Sequence, residues 1–159
     1  YCFGRGEILK KYNFTKPYGL LLIKNSNISI STAYVYKKYY EKYSRFIDLS
    51  NINIEQKRDT LKNLGFINKD IFQKKISIRN DLQKIVQNEF KSVNDGLNIL
   101  SNLDNSLCSS MSGSGPSCYA IFEDLNIANK IYKENIEIFK KFDFDVWVCQ
   151  FHSKGIEIV

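Results

Sequence analysis

Residues 111–118, Met-Ser-Gly-Ser-Gly-Pro-Ser-Cys, form the stretch of this chain best suited to holding an anion. Small residues leave backbone N–H groups approachable, because no side chain blocks the way, and the serine hydroxyls add donors. The same composition also suits a hairpin turn that needs glycine for its backbone angles. The loop lacks the Gly-Lys-Ser/Thr of a Walker phosphate loop, and no helix follows it as in a dinucleotide fingerprint. Gly113, Ser114 and Gly115 are the first candidates, as backbone donors and as a close-approach surface. Thr32, with Ser31, comes next: a hydroxyl at a helix N-terminus can orient a substrate oxygen where the dipole favours negative charge, or it can simply cap the helix. Asn80 and Asp81 read either as substrate contacts or as caps for the helix they open. His152, the single histidine, stands beside a strand end and suits a structural role.

Composition narrows the class. With 159 residues, 43% of them hydrophobic and 14% aromatic, the chain can build a real core, and 25% charged residues do not suggest disorder. The formal charge of +6 raises the question of a polyanion partner. Its lysines are scattered among acids, however, with only short clusters such as Lys37-Lys38, Lys74-Lys75 and Lys140-Lys141. Solvated faces are the reading adopted, with no nucleic acid as partner; the strands also lack the aromatic-plus-basic pattern of an RNA-recognition motif. Cys2, Cys108, Cys118 and Cys149 form no CxxC pair, and with one histidine they point to free thiols and to no zinc or other metal site. Apolar runs such as residues 20–23 and 118–122 are too short to cross a bilayer, so no membrane partner is expected. No signal-like segment opens the chain, which makes a cytoplasmic location the expectation. Tyr1 is not an initiator and the first residues read as mid-strand, so a preceding segment is expected.

The elements that must position the loop are legible in pieces. A dense apolar run at residues 18–24 behind Pro17 reads as a buried strand. Ser31-Thr32 opens a helix in which Tyr36, Tyr39, Tyr40 and Tyr43 recur at helical spacings. Residues 45–73 are the least readable, with helical spacing only at 54–64. Leu82, Ile85, Val86 and Phe90 share one helical face, and Val93, Leu97, Leu100 and Leu103 another, ending at the turn pair Asp104-Asn105. Short strands at 107–111 and 118–122 flank the glycine loop. A helix spans 125–141, an alternating strand 144–151, and residues 155–159 suit an edge strand. Strand, helices, strand, strand, helix, strand is a split βαβ order. The fold expected is α+β, a ferredoxin-like sandwich with a mainly antiparallel sheet and helices on one face.

Residues 111–122 also resemble the third motif of the galactokinase, homoserine, mevalonate and phosphomevalonate (GHMP) kinases. Residues 3–9, 20–24 with 28–36, Arg79-Asn80-Asp81-Leu82 and Gly155-Ile156-Glu157 resemble its diphosphocytidyl-methylerythritol kinase branch. Asn25 departs from that branch, whose members usually carry proline just after the first strand; a less rigid turn is the implied cost. The resemblance implies an ATP- and Mg²⁺-dependent kinase for a small alcohol, diphosphocytidyl-methylerythritol, in the non-mevalonate isoprenoid route. Homoserine- or mevalonate-type substrates and a non-enzymatic ferredoxin-like binding module are the alternatives. It further implies that residues 1–16 are the tail of an N-terminal ATP-binding domain and 17–159 the C-terminal domain. Arg5 and Glu7, at that junction, would serve packing or ion pairing. The family's ATP loop, general-base aspartate and partner lysine occur nowhere here. This chain would then lack the catalytic residues, be inactive alone, and have the N-terminal domain and the small-molecule substrate as partners. The setting would be the cytoplasm, or the plastid stroma in a photosynthetic eukaryote.

Overall fold

In the computed structural model, residues 2–3, 8–9, 16–44 and 78–152 are described. The expectations for Arg5 and Glu7, for residues 45–73 and for an edge strand at 155–159 lie outside them. Strands β1 (Cys2–Phe3) and β2 (Ile8–Leu9) pair antiparallel as a small ladder of their own.

The main sheet is built around β3 (Gly19–Asn25), whose alternation sends Leu21 and Ile23 into the core and leaves Leu20 and Leu22 on the opposite face. Helix α1 (Thr32–Tyr43) follows. Helices α2 (Gln83–Glu89) and α3 (Lys91–Ser101) come next, then β4 (Cys108–Met111) and β5 (Cys118–Phe122). Helix α4 (Leu125–Lys141) and β6 (Phe144–Gln150) complete the order. The four strands lie as β4-β5-β3-β6, antiparallel throughout. Two split βαβ units therefore interleave: β3 and β4 enclose β5, and β5 and β6 enclose β3. This is the ferredoxin-like α+β sandwich expected from the order of elements.

The four described helices supply their apolar stripes to one face. Val35 of α1, Val86 of α2, Val93, Leu97 and Leu100 of α3, and Ala128, Ile131 and Phe139 of α4 join Leu21, Ile23, Ala120 and Phe122 in a single core. Each of the Val, Leu, Ile and Phe side chains contributes about 1.5–3 kcal/mol by leaving water. Gly96 admits the Phe144 ring, since a Cβ there would come within 3.0 Å of it. Asp124 caps α4 by accepting the Ile127 N–H at 2.8 Å, and Lys140 and Lys141 sit in its last turn where cations suit the dipole. Asn25 accepts the Asn27 N–H at 3.0 Å and donates to the Phe142 carbonyl at 3.1 Å. Those two bonds tie down the turn that follows β3.

The cysteines bear on pH. Cys108, Cys118 and Cys149 are free thiols, Cys118 being fully buried. Burial pushes the Cys108 thiol up from 9.0 to about 11 and the Cys118 thiol up to about 12. In the unfolded chain both ionise near their ordinary value, so above it the unfolded state has released protons that the folded state retains. Stability contributed by these neutral thiols is complete below pH 9.0 and falls as pH rises toward about 11 and about 12. Urea midpoints should drop between about pH 8 and about pH 10, and drop less in a Cys118→Ala variant. An equal drop in both proteins would rule out this origin.

Candidate functional site

The glycine loop is a hairpin connection and a pocket wall at once. It joins β4 to β5, with Ser112 N–H donating to the Ser117 carbonyl at 2.8 Å and Gly115 N–H to the Ser112 carbonyl at 2.9 Å. Gly113 and Gly115 both have positive φ, 55° and 78°, which explains glycine at both positions, and the Gly115–Pro116 peptide is cis. Of the three expected donors, Gly115 has its N–H taken up by the turn. Among the described residues, the N–H groups of Gly113 and Ser114 have no acceptor. A Cβ added at Gly113 would meet nothing within 4 Å, so its surface is open to a ligand, whereas Gly115 is packed against Met111 and Val86.

The first turn of α1 comes to this loop across 82 residues of sequence: Thr32 Oγ1 and Ser114 Oγ lie 2.8 Å apart, either able to donate. Ser31 takes the capping role, its Oγ accepting the Tyr34 N–H at 3.4 Å. The Thr32 hydroxyl is thereby released from capping, and the two neighbours do different jobs. Gly113, Ser114, Gly115 and Thr32 thus converge, with Ser31 holding the helix that brings Thr32 in.

Asp81 makes no cap for α2, and Leu82, just before the helix, has no side-chain cap bond of its own. Asn80 serves both the helix start and the loop: its Oδ1 accepts the Leu82 N–H at 3.0 Å, a capping bond, and its Nδ2 donates to the carbonyls of Met111 and Gly113 at 2.8 and 2.9 Å. Asp81 pairs with Arg79, whose guanidinium it holds above its ordinary value through that hydrogen bond. Gln83 completes the edge of β4, its Oε1 accepting both the Met111 N–H and the Ser110 hydroxyl at 2.9 Å. Burial raises the Tyr119 hydroxyl, and its hydrogen bond with Ser110 pulls the other way.

Between these groups opens a concavity of about 450 Å³ lined by Tyr36, Arg79, Asn80, Asp81, Ser112, Gly113 and Tyr119, among others. Its lining joins the small polar residues of the loop with two tyrosines and the Arg79–Asp81 pair, and Ser114 and Thr32 stand outside it. Tyr36 and Tyr119 lie within the stretches 28–36 and 111–122 that carried the resemblance but were not singled out as site candidates, and Gln83 has no local mark. His152 is exposed at the end of β6 and lies outside this lining. Lys37 and Lys38 face Glu41, and Lys140 faces Glu137, as solvated helix-surface pairs. Among the described residues no three carboxylate, imidazole or thiol groups converge as a metal site. None of their helices is long and apolar enough to cross a membrane.

Residues 61–141 match the model of the family described as GHMP kinases C terminal. A 4-diphosphocytidyl-2-C-methyl-D-erythritol kinase from Prochlorococcus marinus subsp. pastoris is 43% identical over 159 residues, covering 100% of this chain and 51% of that protein. A kinase of the same name from another Prochlorococcus marinus strain is 46% identical over 157 residues, covering 98% of this chain and 50% of that protein. The chain thus spans about half the length of the curated relatives it matches. Among solved structures, a homoserine kinase from Cytophaga hutchinsonii aligns with a TM-score of 0.42 at 15% identity, over 89% of this chain and 43% of that one.

Proposed function

This chain belongs to the GHMP kinases, as their C-terminal domain, and on that premise we propose that it forms the substrate-side wall of an ATP-dependent kinase acting on 4-diphosphocytidyl-2-C-methyl-D-erythritol. Residues 17–159 are the C-terminal domain in this reading and residues 1–16 the end of the ATP-binding domain before it. The observation that carries it is the meeting of Thr32 with Ser114, beside the unpaired N–H groups of Gly113 and Ser114. The identities of 43% and 46% to kinases of that name support the choice of alcohol.

Phosphoryl transfer asks a protein chiefly to position two oxygens and to stabilise phosphate charge with fixed donors. The residues here can do the second. Backbone donors at Gly113 and Ser114 are already oriented, so they need no reorganisation as charge develops, and the bonded pair of hydroxyls on Ser114 and Thr32 keeps one O–H to donate beside them. Mg²⁺ would neutralise phosphate charge when bound. The described residues offer no cluster to hold it, so in this reading its ligands lie elsewhere in the protein, with the general base.

A coupled ATP-consumption assay tests the proposal on this chain and on the chain extended upstream to the full length of its relatives. Turnover is expected only in the extended protein, and with diphosphocytidyl-methylerythritol in preference to homoserine or mevalonate. Preference for one of the latter would move the chain to another branch of the family. A folded extended protein that consumes no ATP with any of the three would overturn the kinase reading.

A further inference from the structure

Resting on that kinase reading, we infer that Asn80 is a positioning residue, whose amide fixes the direction in which the loop presents the Ser114 N–H. The carbonyl and N–H of a trans peptide point opposite ways. Holding the Gly113 carbonyl against Asn80 Nδ2 at 2.9 Å therefore turns the N–H of the same peptide unit, that of Ser114, away from Asn80. The neighbouring clamp behaves consistently. With the Met111 carbonyl held at 2.8 Å by the same nitrogen, the Ser112 N–H of that peptide points across the hairpin and meets the Ser117 carbonyl at 2.8 Å.

The amide is suited to this in a way its isosteres are not. Both hydrogens of Nδ2 are used on two carbonyls, while Oδ1 accepts the Leu82 N–H and locks the amide's own orientation. Gly113, with φ of 55° and open space where a Cβ would stand, has no packing of its own to hold its peptide plane. On the far side, the Ser114 hydroxyl is held by Thr32. The Gly113–Ser114 peptide is thus gripped at its carbonyl and at the next side chain, and left open at its N–H.

Asn80→Asp keeps the acceptor for Leu82 but replaces both donors with an oxygen facing two carbonyl oxygens. The peptide should rotate and the donor be lost. In the full-length protein the expected result is a kcat lower by between roughly ten- and a hundredfold, more than the unfolded fraction accounts for, with an unchanged KM for the alcohol. The introduced carboxyl, crowded by carbonyl oxygens, has a raised pKa, and once protonated it can donate again. Turnover relative to wild type should therefore recover as pH falls toward about 5, a recovery that Asn80→Ala cannot show. Should the Asp variant fail to fold, Asn80→Ala carries the same kcat test without the charge. Wild-type kcat in a folded variant, or a loss that merely tracks the unfolded fraction, overturns the inference while leaving the kinase reading intact. An inactive, folded wild type overturns both.

Discussion

Replacing Gly115 with valine should leave the full-length protein with no more than about a hundredth of its turnover. Two separate obstacles meet at this position. Its φ of 78° lies in the region that L-residues avoid, and a side chain branched at Cβ tolerates it least. A Cβ there would also stand 2.8 Å from Met111 Sδ and 3.5 Å from Val86 Cγ1. The thioether can swing aside; the backbone angle cannot be relieved without opening the turn that Gly115 N–H closes on the Ser112 carbonyl. Opening it moves Gly113 and Ser114, whose N–H groups are the proposed phosphate donors. Gly113→Ala is the informative contrast, because nothing lies within 4 Å of the added carbon and the backbone cost is only about 1–2 kcal/mol. If Gly113→Ala loses more turnover than that stability cost explains, the new methyl is meeting a ligand. A folded Gly115→Val protein with near-normal kcat would remove the loop from the mechanism altogether.

What the sequence made legible was what local pattern encodes. The alternation around Leu21 and Ile23, the 3.6-residue stripe through Val93, Leu97 and Leu100, and the span of α4 were readable because periodicity records which side of an element faces the core. The glycine loop was readable because positive φ has a compositional signature. The division of labour within the site was not. Nothing in Ser31-Thr32 says which hydroxyl caps the helix and which reaches Ser114, since that depends on where a strand pair 82 residues away comes to rest. Asn80 looked like a helix cap because asparagine before an apolar helical run usually is one. Its Oδ1 does accept the Leu82 N–H, but the partners of its amide nitrogen, the carbonyls of Met111 and Gly113, lie across a tertiary contact. Gln83 likewise completes the edge of β4 from a helix, a role with no local mark. The four-residue β4 is short and polar, and it forms a sheet edge because β5 on one side and the side-chain amides of Asn80 and Gln83 on the other satisfy it.

Gly19→Ala should be the most destabilising single-methyl change among the described residues, costing about 3 kcal/mol or more. Gly19 starts β3 on the face turned toward α4, beside the residue that caps that helix. A Cβ built there would lie 2.2 Å from the Asp124 carbonyl oxygen, 2.6 Å from its carbon and 2.9 Å from the Ala128 Cβ. The first two atoms are backbone, held by the Asp124 cap on the Ile127 N–H and by the Ala128 N–H donating to that same carbonyl at 3.3 Å. Relief requires the N-terminus of α4 to lift off the sheet, which strips contact from Ala128 and Ile131, both in the core. Glycine here serves a close approach and not a turn, because its neighbours Phe122 and Gln150 pair with it in regular antiparallel register. Urea unfolding of Gly19→Ala, alone and with Ala128→Gly, separates the causes. The second change removes only the methyl-to-methyl contact, so the double variant should be no more stable than the single one. Rescue by Ala128→Gly would show that side-chain crowding, and not the helix backbone, sets the distance between α4 and the sheet.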